Sequence, residues 1–357
     1  MALALLACGP AHATTAVSPS PSVTTSPTPH TYPSGISDLP VSKLDLSCRL
    51  PIVTSPIEAA GLTLHGGFIT FPAAKLAEDA GGTVHYRNAE ADFATTATPV
   101  LYGDGVVPFY DRAQSRWVPA RGRQALADGS AYAYTTYSSQ TGLFTAFVVN
   151  VRSGISQSFK VPPVWSPEVA DFGAAGVYLV SGSAIGGPGE GVWLLDPRTG
   201  AIKELGQIHR VWAVRDGYAW VARFDSRDKT VWPPTEIAPA NSLVRIDLAT
   251  GAETIWFYRA GSYPWLIDLD SIDRPVVLLG GNSGNEVLLL DRPGLPGQLV
   301  YSGSIPLDYL QGDGDRLWFG GSRGIYLYSP DRGFRKVFAY DGDPATANRI
   351  EPAGFCR

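Results

Sequence analysis

The chain has 357 residues, 45% apolar and 17% charged, with 39 Gly, 29 Pro and a formal net charge of −5. The apolar share can support a core, which excludes disorder throughout. So many turn formers exclude long helices and coiled coils, and the acidic balance leaves no basic footprint for nucleic acid.

Residues 1–13 begin Met1-Ala2-Leu3-Ala4-Leu5-Leu6-Ala7-Cys8. This stretch is shorter than the roughly 20 residues that span a bilayer, and reads as the end of an export signal. Leu5-Leu6-Ala7-Cys8 resembles a bacterial lipobox, in which the cysteine takes a lipid and becomes the mature N-terminus, although Leu6 stands where a small or β-branched residue is usual. The alternative is ordinary secretory cleavage after Ala11-His12-Ala13. Either reading exports the chain. The expected location is secreted or cell-surface, with a lipid on Cys8 as the sole contact with the outer side of the cytoplasmic membrane. Residues 14–42 are rich in Ser, Thr and Pro with hardly a charge, the composition of an extended tether. The folded domain is placed at 43–357. Near its two ends lie Cys48 and Cys356, which in an exported protein are expected to pair as a disulfide.

One pattern recurs along that domain. Several apolar residues lead to a small polar residue, and a glycine follows four places on. Phe147-Val148-Val149-Asn150 leads to Gly154, Trp193-Leu194-Leu195-Asp196 to Gly200, Val244-Arg245-Ile246-Asp247 to Gly251, and Tyr326-Leu327-Tyr328-Ser329 to Gly333. Asp111 and Asp291 open weaker copies. Each copy reads as a strand, a tight turn and a second strand. The polar residue bonds its own backbone and the glycine supplies positive φ. The anchors are spaced 39, 46, 51, 44 and 38 residues apart. A period of about 44 with several strands per unit is that of a β-propeller. A further strand is expected some fifteen residues before most anchors, at Tyr132–Tyr134, Tyr178–Val180, Val276–Leu279 and Trp318–Phe319. Asp315-Arg316-Leu317-Trp318-Phe319-Gly320-Gly321, followed by Gly324-Ile325-Tyr326-Leu327-Tyr328, resembles the repeat of bacterial regulator-type propellers. Over 43–357 the chain resembles bacterial envelope propellers and lipoproteins, a resemblance that implies a fold and a location but no activity.

The expected fold is therefore all-β, a propeller of six four-stranded blades, with seven as the alternative. The first unit is assembled from Phe68–Phe71, Val107–Asp111 and Arg116–Pro119, and 75–105 is read as an insertion. A ring must pack its first blade against its last, and the segments 47–53 and 350–356 are natural partners for that closure. A Cys48–Cys356 bond would lock it.

Loop length varies mainly on the face of the second-to-third strand loops (75–105, 186–191, 225–241), and long loops are often functional. The loops that lead to innermost strands on that face carry Trp165, His209, Tyr263, Trp265 and Tyr309, and Trp232 sits in a Pro-rich loop. Trp165, His209, Trp232, Trp265 and Tyr309 are the candidate ligand residues, for a glycan, a protein or peptide, or an apolar small molecule. The competing reading is that the aromatics pack between blades and that His209 is solvated.

Catalytic signatures are scarce. His65, His85 and His209 have no ligand spacing. Gly320-Gly321-Ser322-Arg323-Gly324 matches G-x-S-x-G but falls between two strands, without the strand-to-helix elbow of a hydrolase. No cofactor is expected. A second reading is a metal-dependent hydrolase or lyase of the lactonase-like six-bladed type, with calcium or another divalent metal at the channel mouth held by Asp171, Asp268, Asp308 and Glu351. The first reading is an exported, lipid-anchored, monomeric binding module.

Overall fold

In the computed structural model the described residues are 38–54, 57–58, 61–87, 90–93, 100–101, 108–138, 143–161, 167–181, 190–227, 240–281, 284–307, 309–340 and 349–357; of 57–58, 61–62, 85–87, 90–93, 100–101, 137–138, 281 and 284 only the backbone is described. Short apolar runs cut by Gly, Pro and Asp turns fold as strands throughout. In chain order these are β1 (Cys48–Thr54), β2 (Ile57–Glu58), β3 (Gly61–Phe71), β4 (Lys75–Glu78), β5 (Val84–Arg87), β6 (Glu90–Phe93), β7 (Val100–Leu101), β8 (Phe109–Asp111) and β9 (Arg116–Val118). Then come β10 (Ala131–Ser138), β11 (Leu143–Asn150), β12 (Ser156–Lys160), β13 (Pro167–Gly173), β14 (Gly176–Ser181), β15 (Gly191–Leu195) and β16 (Ile202–Gly206). β17 (Val211–Arg215), β18 (Tyr218–Arg223), β19 (Ser242–Asp247) and β20 (Glu253–Tyr258) follow, and then β21 (Pro264–Leu269), β22 (Pro275–Gly281), β23 (Gly284–Leu289) and β24 (Gln298–Gly303). The last are β25 (Tyr309–Asp313), β26 (Arg316–Gly321), β27 (Gly324–Ser329), β28 (Gly333–Ala339) and β29 (Ile350–Pro352). Two short 3-10 turns, η1 (Ala80–Gly82) and η2 (Gly122–Gln124), are the helical elements among the described residues, and no helix there is long and apolar enough to cross a membrane.

β13–β16, β17–β20 and β21–β24 are antiparallel four-stranded meanders, and β25–β28 repeats the pattern. β10–β12 forms a three-stranded sheet, with an isolated bridge from Ala125 to Tyr132 on its open side. The hairpins turn at the anchors the sequence marks. The amides of Ser153, Arg198 and Ala249 each donate to the side chain of Asn150, Asp196 or Asp247 at 2.9 Å. Gly154, Gly200 and Gly251 take φ of 69°, 73° and 73°, the left-handed conformation glycine adopts without strain. In four successive sheets the ladder between third and fourth strand slips at the same place, after Val192, Leu243, Val287 and Ile325.

The cores lie between sheets. One cluster joins Ala133 and Val148 to Leu179 and Leu195, the next joins Val192 to Val221 and Val244, and a third joins Trp220 and Leu243 to Leu279 and Leu288. The Tyr301 and Phe334 rings, 4.6 Å apart, carry the stack to β25–β28. Leu50, Ile52 and Ile69 then meet Trp318 and Leu327, and Val53 and Phe68 meet Trp117, Tyr132 and Tyr134. Each sheet thus packs sideways on the next, and the last returns to the first. This is a β-propeller. Its innermost strands pack on one another, β13 on β17, β21 on β25 and β25 on β29.

Strands from both ends of the domain close the ring. β1 lies between β3 and β29, pairing Ile52 with Pro352 and Thr54 with Ile350. Arg49 and Arg357 exchange backbone hydrogen bonds of 2.5 and 3.2 Å, and Cys48 is bonded to Cys356 with Cα atoms 5.5 Å apart. Glycine permits the approach of β26 to β29, because a Cβ on Gly320 would lie 2.4 Å from the Ile350 carbonyl oxygen. Gly324, at φ 148°, faces the Phe338 carbonyl. The G-x-S-x-G match is thus a close-packing pattern. Outside β28 the chain adds a short parallel contact, Val41 to Lys336, and the Asp38 carboxylate accepts from the Lys336 ammonium and, at 3.1 Å, from the Tyr326 hydroxyl.

Two sequence expectations are corrected. Phe68–Phe71 does not share a sheet with β8 and β9; it belongs to β3, which pairs with β1, β4 and β5, while β8–β9 is a separate two-stranded hairpin. The two are joined by packing, Phe68 lying 5.0 Å from the Tyr110 ring and 5.7 Å from Trp117. Nor is 75–105 simply a loop, since it contains β4 to β7 and η1.

Candidate functional site

The innermost strands β13, β17, β21 and β25 each enter from a connection on one face and leave through a tight turn on the other. The first residues of each therefore face the loop-bearing side and the last residues the hairpin side. This simple geometry sorts the candidates.

On the hairpin side the axis is filled with paired charge. Asp171 follows a bulge in β13, its side chain 1% exposed, and accepts from Arg215 Nη1 at 3.1 Å. Burial raises its pKa, and the Arg215 guanidinium opposes the rise. Arg215 ends β17 and also donates through Nε to Asp273 at 3.1 Å, linking three successive sheets. Asp268 follows the corresponding bulge of β21 and is bonded to Arg123 of η2. Two other sheets separate η2 from β21 along the ring, so this pair crosses the centre. Bulges re-aim side chains, and here they turn two carboxylates toward guanidinium groups. Glu351 is buried in β29, and Asp308 lies outside the described residues. Among the described residues no three of His, Cys, Asp and Glu gather as a metal site.

On the loop-bearing side the structure gathers an aromatic rim. Trp265, second residue of β21, is 53% exposed. Its ring lies 4.3 Å from Trp212 of β17 at an interplanar angle of 72°. Tyr309 opens β25, and the Arg349 guanidinium, just before β29, sits over its ring at 5.4 Å. Between these sheets opens a pocket of about 370 Å³ lined by Trp265, Ile267, Leu278, Leu307, Tyr309 and Arg349. On the same face His209 Nδ1 lies 2.9 Å from Glu190 Oε2, with the Glu190 carboxylate buried and the imidazole half-exposed.

Of the expected ligand residues, then, Trp265 and Tyr309 share one pocket wall, and His209 sits apart, hydrogen-bonded to Glu190. Trp165 and Trp232 lie outside the described residues, as does Cys8. Sequence reasoning missed Trp212, Arg349, Arg123 and Arg215. Trp212 carries a readable signal, since it holds the second place of an inner strand as Trp265 does. Arg349, isolated before the last strand, carries none.

No protein-family model matches the chain, and no curated protein matches it in sequence. Solved structures do resemble it. The β-propeller domain of the Trilobed protease from Pyrococcus furiosus aligns at 9% identity and a TM-score of 0.44, over 80% of this chain and 83% of that one. TolB from Acinetobacter baumannii aligns at 12% identity and a TM-score of 0.41, over 85% and 82%. The Pyrococcus horikoshii acylaminoacyl peptidase aligns at 8% identity and a TM-score of 0.45, over 82% of this chain but 46% of the enzyme. The propeller assignment rests on the sheet packing described above.

Proposed function

We propose that the protein is an exported propeller of six blades that acts as a binding module through its loop-bearing face, held to the outer side of the cytoplasmic membrane by a lipid on Cys8. The observation that carries the binding role is the pocket walled by the exposed Trp265 ring, Tyr309 and Arg349, with Trp212 packed edge-on against Trp265. Exposed aromatic surface beside a pocket is costly to leave in water unless something covers it. The six-blade count is supported by six innermost segments, namely η2 with Ala125, β13, β17, β21, β25 and β29. The Cys48–Cys356 bond suits an oxidising compartment. A metal-dependent hydrolase would draw on the inner acids, but Asp171 and Asp268 already have their charge matched by Arg215 and Arg123.

Two experiments test the proposal. A panel of oligosaccharides and peptides is titrated against the folded domain with tryptophan fluorescence as readout, beside Trp265→Ala and Trp212→Ala. Binding that these changes weaken about tenfold or more upholds the role, while binding that neither change weakens refutes the rim as the site. Growth with labelled palmitate should label the wild-type chain and spare Cys8→Ser; an unlabelled wild type refutes the anchor.

A further inference from the structure

β26, β27 and β28 turn one face toward the closing strands. Their register sets Trp318, Leu327 and Arg335 in one cross-strand row, and Arg316, two places before Trp318, shares their face. Trp318 and Leu327 pack with Leu50, Ile52 and Ile69, so this row lines the seam where the ring closes. Two buried donors in the row, Trp318 Nε1 and Arg335 Nε, have no hydrogen-bond partner among the described residues. A buried N–H without an acceptor is unfavourable, and more so on a charged group. What this part of the seam lacks is an acceptor.

It also lacks negative charge. Neither Arg316 nor Arg335 has an ion-pair partner among the described residues. The nearby carboxylates are engaged elsewhere. Asp45 and Asp331 lie 3.4 and 3.6 Å from the nitrogens of Arg332, and Asp313, opposite Arg316 in the β25–β26 ladder, accepts the Cys356 amide at 3.3 Å. Burial and the like charge of Arg332, with a smaller push from Arg316, lower the pKa of Arg335 against the opposing pull of Asp331 and Asp45. A water molecule on Nε would supply the acceptor but leave the cations unopposed, whereas an anion does both. We infer that this corner of the seam, on the hairpin side of the last sheet, binds a phosphate or sulfate group, with Arg335 as its main ligand and Arg316 as the second. A tetrahedral oxyanion offers several acceptors to guanidinium forks, and two unmatched cations suit a dianion. The site is separate from the loop-bearing pocket and does not depend on the binding role proposed for it. A free anion and a lipid headgroup present the same chemistry, and the test separates them.

The test uses inorganic phosphate, and phosphatidylcholine vesicles with and without phosphatidic acid, on the intact disulfide-bonded protein in chloride buffer of constant ionic strength. Calorimetric titration is expected to show saturable phosphate binding at about a millimolar or tighter. Arg335→Gln should weaken it about tenfold or more, and Arg316→Gln by less. Urea unfolding gives a second readout: phosphate should raise the wild-type midpoint and leave that of Arg335→Gln where it is. Binding that does not saturate, or that Arg335→Gln leaves at wild-type strength, overturns the inference. So does a deficit of Arg335→Gln in urea that is the same with and without phosphate, which would give Arg335 a packing role alone. With phosphate binding established, co-sedimentation with vesicles that needs both phosphatidic acid and Arg335 upholds the site with a headgroup as its source. Vesicle binding that is absent or indifferent to Arg335 upholds it with the free anion as its source.

Discussion

Breaking the Cys48–Cys356 bond tests the ring closure most directly. The bond spans a sequence separation of 308 residues. In the chain-entropy model a loop that long restricts the unfolded chain by about 6 kcal/mol, and measured losses for native disulfides run from about 2 to 5 kcal/mol. The β1–β29 ladder and the Arg49–Arg357 backbone bonds do not involve the sulfur atoms, so the ring is expected to stay formed on reduction and the loss to fall mainly on the unfolded side. A loss of about 3–6 kcal/mol is expected. With an unfolding entropy near 2.1 cal/mol/K per residue over a domain of about 310 residues, that lowers the melting temperature by roughly 5–9 °C. Urea and thermal unfolding would be followed by near-ultraviolet circular dichroism for the oxidised wild type, the reduced wild type and Cys356→Ser. The variant should match the reduced wild type and be insensitive to reductant. Equal midpoints for oxidised and reduced wild type would refute the reasoning. So would a deficit in Cys356→Ser relative to the reduced wild type, which would assign the effect to packing and not to the cross-link.

Asp38→Ala leaves the Lys336 ammonium buried without its carboxylate and should cost about 3 kcal/mol, most of it recovered in Asp38→Ala/Lys336→Met; urea midpoints showing no recovery would refute the pairing. Gly320→Ala should cost about 2 kcal/mol of stability, read as a lowered urea midpoint, because its methyl group would press on the Ile350 carbonyl where the ring closes; an unchanged midpoint refutes that close approach. Carboxyl NMR titration should separate two aspartates about the ordinary value of 3.8. Asp247 should titrate below it, held down by the Thr250 and Ala249 amides, and Asp171 above it because of burial. The signs for stability are opposite. The Asp247 contribution is complete above pH 3.8 and is lost as pH falls through its folded pKa, whereas the Asp171 contribution is complete below pH 3.8 and is lost as pH rises from there through its raised folded pKa. Midpoints in the reverse order would refute both assignments.

The hairpins were legible because their chemistry is local. Asn150, Asp196 and Asp247 each act on amides two or three residues away and a glycine four away, so spacing alone reveals them. The first quarter of the domain departs from the 44-residue period, because its strands do not repeat the meander of the later sheets. β3 is eleven residues long and changes partner along its length, from β5 at Leu62–Leu64 to β4 at Gly67–Thr70, with Gly66 packed against Gly82 between them. The candidate site was half legible. Trp265 and Tyr309 stand out as aromatics at the mouths of inner strands. The ion pairs on the axis join residues 44, 58 and 145 positions apart, and only closure of the ring brings them together.

The link between the two ends has a mechanical consequence. Any pull that reaches the fold from the side of residue 38 first loads the Asp38–Lys336 contact and then β1. A strand held only by its ladder could be peeled away, unzipping the ring from its seam. Here Cys48 passes the tension covalently to Cys356, so both rims of the seam are dragged together and the load spreads to β26 through Ile350. A body tethered by one end in flowing or crowded surroundings would thereby keep its shape under strain.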